Sequence, residues 1–185
     1  MSQLTLITGG CRSGKSRYAV QKAKEFLGDV VYVATCHPQD DEMSQRVTQH
    51  RQERPSSWKT IEGESDLTKI VQNQVQRDSK TLLLIDCLTL WISNHLISGR
   101  NRKSVLEEVE RTLHAIQSYP ESVIVVTNEV GLGIVPENPL AREFRDLAGE
   151  VNQRFAQSAD EVVLMVCGIP LVVKKIKIQN SKVFR

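Results

Sequence analysis

Aromatic residues are scarce in this chain: two Trp, three Tyr and four Phe among 185 residues. Motors and helicases that handle single strands stack bases on aromatic side chains set among basic ones, and no clustered stripe of that kind is present. Long hydrophobic runs are missing as well. The longest, Val162 to Val173, is broken by Gly168 and Pro170, short of the roughly 18 residues a membrane span needs. The N-terminus reads Met-Ser-Gln before a short apolar run, too short and uncharged for a signal peptide, so a cytoplasmic protein with no membrane span is expected. The four cysteines, Cys11, Cys36, Cys87 and Cys167, are far apart with no C-x-x-C pair. A structural zinc site is therefore not expected, and three of the four end apolar runs, where a small buried thiol is the common reading.

Charge of one sign is also lacking. The net charge is +2, from 24 Lys+Arg against 22 Asp+Glu. Residues 174–185 hold Lys174, Lys175, Lys177, Lys182 and Arg185 with no acid, leaving 19 basic against 22 acidic residues in the other 173. The mild basicity belongs to the tail, and no nucleic-acid partner is expected.

What is present is a repeated strand-helix pattern. Leu4–Thr8, Val30–Thr35, Leu82–Asp86, Val123–Thr127 and Val162–Cys167 are short apolar runs without strict alternation, as in parallel strands covered on both faces. Between them, Ala19, Ala23, Phe26 and Leu27 share a face of a helix over Lys15–Leu27. Val105, Val109, Leu113 and Ile116 do the same in a stretch opened by Ser104, with Glu107 completing a capping box. Leu140, Phe144, Leu147, Val151 and Phe155 line another helix. Arg100–Lys103 reads as a polar loop, and Leu171–Ile178 as a last strand able to form an edge hairpin across Gly168 and Pro170. No repeat or linker interrupts the chain, so one α/β domain spanning 1–185 is expected, a mostly parallel sheet flanked by helices.

Gly9-Gly10-Cys11-Arg12-Ser13-Gly14-Lys15-Ser16 matches G-x-x-x-x-G-K-[ST] and lies after a strand and at the start of a helix, where a phosphate loop must lie. Its backbone N–H groups would cradle phosphate, Lys15 would reach the β/γ oxygens and Ser16 would hold Mg²⁺. A glycine-rich turn with a chance Lys-Ser is the ordinary alternative. Asp86, ending the run Leu82–Ile85, stands where a second Mg²⁺ ligand would sit. No N-K-x-D base-reading motif is present, since Thr127-Asn128-Glu129-Val130 does not match; a switch GTPase is disfavoured and small-molecule group transfer favoured.

Asp40 to Pro55 starts with acids and ends at proline, as a helix does. His50 falls on its apolar stripe with Met43 and Val47, flanked by Arg46, Arg51 and Arg54. One reading is a partly buried histidine on a surface helix. The other is a phosphate site, because guanidinium groups fork onto phosphoryl oxygens and keep the imidazole neutral, and a neutral imidazole is a competent nucleophile at phosphorus.

These residues resemble the bifunctional adenosylcobinamide kinase / adenosylcobinamide-phosphate guanylyltransferase family of cobalamin biosynthesis. The likeness runs from the loop at 9–16 through Val33-Ala34-Thr35, Asp41-Glu42-Met43 with Arg46, His50, Arg54-Pro55 and Trp58. It continues through Asp86-Cys87-Leu88-Thr89-Leu90-Trp91 with Asn94, Val126 to Pro136, Ala141 to Asp146, Gly149, Asn152-Gln153 and Gly168 to Pro170. The resemblance implies a RecA-like P-loop NTPase fold, a homotrimer, and two reactions. ATP or GTP phosphorylates adenosylcobinamide, then His50 takes GMP from GTP as a phosphoramidate and passes it on to give adenosylcobinamide-GDP. It further implies that Thr8, Gly9, Gly10, Cys11, Arg12, Ser13, Gly14 and Lys15 hold phosphates. Val33, Ala34, Thr35, Arg51, Gln52, Glu53, Arg54, Glu62 and Asp86 would contribute to GTP binding. Asp86 stands where some members carry glutamate. The competing readings are a kinase alone, with His50 structural, and a nucleotide-sensing protein without turnover.

Overall fold

The structure, a computed structural model, describes residues 3–36, 41–63, 66–75 and 80–176; within the helix at 41–52 the side chains of Glu42, Met43, Arg46, Gln49 and His50 lie outside that description. The described residues form seven strands: β1 (Leu4–Gly9), β2 (Asp29–Ala34), β3 (Lys59–Glu62), β4 (Thr81–Asp86), β5 (Val123–Val126), β6 (Glu161–Val166) and β7 (Ile169–Lys175). They form one sheet in the order β3-β2-β4-β5-β1-β6-β7. Every pairing is parallel except the antiparallel β6–β7 edge hairpin. The helices are α1 (Lys15–Lys24), α2 (Asp41–Gln52), α3 (Leu67–Val75), α4 (Leu88–Ile97), α5 (Arg102–Ser118) and α6 (Pro139–Ser158). The expected α/β sheet with a C-terminal edge hairpin is what the chain adopts, although the hairpin turns at Cys167-Gly168 and takes Pro170 into the edge strand opposite Met165.

The uniformly apolar strands hide an alternation that packing reveals. Leu4, Leu6, Val31, Val33, Leu83, Ile85, Val123 and Val125 belong to one core with residues of α3 through α6. Their neighbours Ile7, Val30, Tyr32, Leu82, Leu84, Ile124 and Val126 belong to a second core with Ala19, Val20 and Ala23 of α1. Both faces are dry, so successive side chains can all be hydrophobic while still pointing in opposite directions.

Several local expectations are corrected. α1 ends at Lys24, so Leu27 lies beyond it and is 93% exposed rather than on the buried face. Leu140, in the first turn of α6, is likewise exposed. The α5 cap is Asn101, not Ser104: the Asn101 side chain accepts the Ser104 N–H at 2.9 Å, and the helix already begins at Arg102, inside the expected polar loop. Of the three cysteines expected to be buried, Cys87 is, Cys36 is half-buried and Cys167 is exposed in the hairpin turn. α3 and α4 went unforeseen. α4 buries Leu88, Thr89, Trp91, Ile92 and His95 and shows almost no polar stripe, so it carries little periodic signal.

The basic stretch after residue 173 is partly structural. Lys174 donates to the Ala156 and Gln157 carbonyls in the last turn of α6, where a cation favours the helix dipole. Lys175 faces Glu161 at 3.4 Å, and Lys22 reaches the other oxygen of that carboxylate at 2.5 Å. Burial alone would raise the Glu161 pKa, but the two ammonium groups outweigh it and hold the carboxyl below its ordinary value.

Two outcomes follow. Asn101→Ala should cost about 1 kcal/mol in urea unfolding, the usual worth of a helix cap, and more than Ser104→Ala. A depressed native pKa adds stability above the ordinary Glu value of about 4.3, lost as pH falls through the lower folded value. The melting-temperature gap between wild type and Glu161→Gln should therefore be full at pH 7 and shrink steadily below about pH 4.

Candidate active site

Parallel strands bring their carboxyl ends to one edge. Glu62, Ala34, Asp86 and Val126 stand in register across β3, β2, β4 and β5, and β1 ends beside them at Gly9. Gly9 has φ +150° and approaches β6 so closely that a Cβ would stand 2.6 Å from the Met165 carbonyl oxygen and 2.8 Å from Ser13 Oγ. Arg12 (φ +54°) and Gly14 (φ +91°) turn the chain again before α1. The resulting curl is closed by the Ser13 N–H on the Gly10 carbonyl at 3.3 Å and braced from behind by the Gly168 N–H on the Ser13 carbonyl at 3.1 Å.

Lys15 opens α1 with its ammonium inside this curl, donating to the Gly10 carbonyl at 2.6 Å. Burial pulls its pKa below the usual lysine value, while the nearby Asp86 carboxylate pulls it back up. Thr8 Oγ1 and Ser13 Oγ are buried with no hydrogen-bond partner among the described residues. Such orphaned hydroxyls call for a polar ligand, and phosphate oxygens would accept both. Cys11 and Arg12 are exposed at the rim, and Ser16 is half-buried one residue into α1.

Asp86 ends β4, and its Oδ2 accepts the Tyr32 hydroxyl at 2.7 Å. The Asp86–Cys87 peptide is cis. Thr35 brackets Cys87, donating to its carbonyl and accepting its N–H, both at 2.7 Å, and Asn94 donates to the Thr35 carbonyl at 2.9 Å. Burial, then the Asp86 charge, pushes the Cys87 thiol up to about 11, so it stays protonated despite its place beside the site. Val33 packs wholly in the core and Thr35 is engaged with Cys87, which leaves half-buried Ala34 as the side chain of that trio nearest to solvent.

The end of α2 and the residues after it divide in two. Arg51, Gln52 and Glu53 are exposed, and Arg51 pairs with exposed Glu62 at 3.6 Å. Arg54 is half-buried, with its guanidinium carbon 3.2 Å from the centre of the Tyr32 ring and its Nε buried and unpartnered. The His50 backbone lies in α2, two residues before its end at Gln52; its side chain is outside the described residues.

The loop after β5 is laced to the same edge. The Glu129 N–H donates to the Gly9 carbonyl at 2.9 Å. Asn152 of α6 accepts from the Thr127 hydroxyl at 2.7 Å and donates to the Asn128 carbonyl at 3.0 Å. The tip carries Leu132, Ile134 and Val135 into solvent. Sequence reasoning missed Tyr32. Its one available signal was a phenol inside a buried aliphatic strand, where the hydroxyl must find a partner.

Ser16 and Asp86 are the residues that could hold a divalent cation. Among the described residues no group of three His, Cys, Asp or Glu side chains comes together. One carboxylate and one hydroxyl suit Mg²⁺, which nucleotide sites hold mainly through phosphate and water.

Comparison with known proteins agrees with this geometry. Residues 5–173 match the family described as cobinamide kinase / cobinamide phosphate guanyltransferase. The bifunctional adenosylcobalamin biosynthesis protein CobU of Salmonella typhimurium is 41% identical over 186 residues, covering 92% of this chain and 99% of that protein. CobU of Escherichia coli is 39% identical with the same coverage, and CobP of Pseudomonas aeruginosa 38% identical, covering 91% and 96%. Among solved structures, a type III secretion system ATPase is similar at TM-score 0.57 with 13% identity, covering 89% of this chain and 51% of that one. The RadB recombinase is similar at TM-score 0.54 with 18% identity, covering 88% and 73%. These structural neighbours share the P-loop, RecA-like fold, and the sequence relatives decide the family: the chain belongs to the cobinamide kinase / cobinamide phosphate guanyltransferase family.

Proposed function

We propose that this chain catalyses two successive transfers at the carboxyl edge of its sheet: phosphorylation of adenosylcobinamide by ATP or GTP, then transfer of GMP from GTP to the new phosphate. The observation that carries this reading is the phosphate loop, with the Lys15 ammonium inside the curl, two hydroxyls without a partner among the described residues, and Asp86 at the carboxyl end of β4, separated from β1 by β5 alone, in a chain matching the family over 5–173.

In the kinase step, the loop N–H groups from Gly9 to Lys15 and the α1 N-terminus bind phosphate oxygens, and Lys15 follows charge onto the transferred group. Ser16 and Asp86 would hold Mg²⁺, which when bound neutralises charge on the β and γ oxygens. In the guanylyl step, a lone pair on His50 attacks the α-phosphorus. The N–P bond forms as the P–O bond to pyrophosphate breaks and pyrophosphate leaves with the electron pair. An oxygen of adenosylcobinamide phosphate then attacks the same phosphorus, and His50 departs. The covalent intermediate divides one displacement between two anionic partners into two easier steps, each aided by cationic side chains. Arg51, Gln52, Glu53 and Arg54, with Ala34 and Glu62 along the adjoining edge, form the guanine-nucleotide side of the site, while Val33 and Thr35 support that edge from within.

A single domain over 1–185 carries both steps. A corrinoid is too large for the interior of such a domain, so it docks on the surface or between subunits of a homotrimer. The exposed apolar side chains of Leu132, Ile134, Ile169 and Leu171 support such a contact surface. The mildly acidic balance outside the tail and the scarcity of aromatics support nucleotides and a corrinoid, not nucleic acid, as partners. No helix among the described residues is long and apolar enough to cross a membrane; a cytoplasmic location is part of the same proposal.

GTP labelled at the α-phosphate should leave acid-labile, alkali-stable label on the protein, and His50→Ala should remove it. Label persisting in that variant would overturn the assignment, and kinase turnover without any label would leave a kinase with a structural His50. Lys15→Ala should lower phosphate transfer on the order of 10²-fold, the usual cost of losing a charge-stabilising donor, measured as product formed from cobinamide and labelled ATP.

A further inference from the structure

Tyr32 is 2% exposed, in the core packed against α1. It is paired across the sheet with Leu84, and Asp86 lies two residues further along β4 on the same face. That diagonal is within reach of an aromatic side chain, and the phenol reaches Asp86 Oδ2 at 2.7 Å. One carboxylate oxygen is thereby engaged and the rotation of the group restrained, while Oδ1 accepts no hydrogen bond among the described residues. The ring of the same tyrosine carries the Arg54 guanidinium at 3.2 Å. Among the described residues that guanidinium makes no side-chain hydrogen bond or ion pair, so stacking is what seats it. Arg54 follows α2 by two residues and His50 by four.

We propose that Tyr32 is a positioning residue shared by the two reactions. Its hydroxyl orients Asp86 for the divalent cation, and its ring anchors, through Arg54, the foot of the helix that bears His50. The inference rests on the two-step reading above. It gives each half of the side chain a separate duty: Phe at position 32 removes only the hydroxyl, whereas Leu removes the ring as well.

The test uses the full chain and two readouts. The first is the Mg²⁺ concentration giving half-maximal binding of a fluorescent methylanthraniloyl GTP analogue, followed without turnover. Tyr32→Phe should raise it about tenfold, the scale of a lost hydrogen bond to a charged group. The shift should be absent when Asp86→Asn is the parent, because the phenol then has no carboxylate to orient. The second readout is the rate of covalent labelling from α-labelled GTP at saturating Mg²⁺, where Tyr32→Leu should fall at least about tenfold below Tyr32→Phe, the scale of a desolvated cation–π contact. Where Tyr32→Leu fails to fold, Arg54→Met takes its place, removing the cation from the ring and lowering labelling relative to Tyr32→Phe in the same way. A wild-type Mg²⁺ requirement in Tyr32→Phe, or a tenfold shift that persists on the Asp86→Asn parent, would overturn the hydroxyl's role. Equal labelling by Tyr32→Phe and the ring-disrupting variant would overturn the anchor. If wild-type protein takes no label, the two-step reading fails and the anchor falls with it, while the Mg²⁺ titration still decides the Tyr32–Asp86 pairing.

Discussion

A parallel sheet covered on both faces leaves only its edges for polar chemistry. β1, β4 and β5 are buried almost along their whole length, so neither face can admit a phosphate. At the carboxyl edge the strands stop pairing, and Gly9, Ala34, Asp86 and Val126 release the chain into loops. The features assigned to the site depend on that edge: the curl after β1, the carboxylate after β4, the Thr35–Cys87 bracket and the Asn152-laced loop after β5. The sheet supplies registry between residues far apart in sequence, and the loops supply N–H groups and side chains that strands cannot spare.

The same constraint explains which parts of the molecule could be read in advance. Strands buried on both faces appear as unbroken apolar runs, and those at Leu4, Val30, Leu82, Val123 and Val162 were found within a residue or two of their ends. The phosphate loop was legible because its requirements are local: glycines where the backbone approaches Met165 or takes positive φ, and a lysine at the first turn of a helix. α4 was not legible, since Leu88, Trp91, Ile92 and His95 are buried around it and no polar face remains to mark a period. Capping at α5 was misplaced because Asn101 and Ser104 are both good caps, and only the backbone decides which carbonyl begins the helix. The Tyr32–Asp86–Arg54 cluster was beyond reach, because it exists only once β2 is known to lie beside β4.

Cations illustrate how little a charge count says about role. The tail that makes the chain basic includes Lys174, spent on the carbonyls ending α6, and Lys175, spent on Glu161. The first ties β7 to α6, and the second ties it to its hairpin partner β6. Gly168 of that hairpin braces the phosphate loop through Ser13, so residues distant from the nucleotide still bear on the curl that would hold it.

Magnitudes separate Arg51, in the last turn of the histidine helix, from Arg54, which follows it. An exposed ion pair such as Arg51 with Glu62, at 3.6 Å, is worth about 0–1 kcal/mol. A guanidinium laid on a buried phenol, as Arg54 is on Tyr32, is worth up to about 2 kcal/mol when desolvated. Arg51 can therefore leave Glu62 for a phosphate at little cost, because a phosphate group offers more charge and fork geometry than one exposed carboxylate. Arg54 loses more by moving. The pair thus combines one adaptable cation with one fixed cation, the fixed one standing on the residue that also holds the carboxylate of the phosphate site. A change in how Asp86 is held would then be felt at Arg54 across a single aromatic ring.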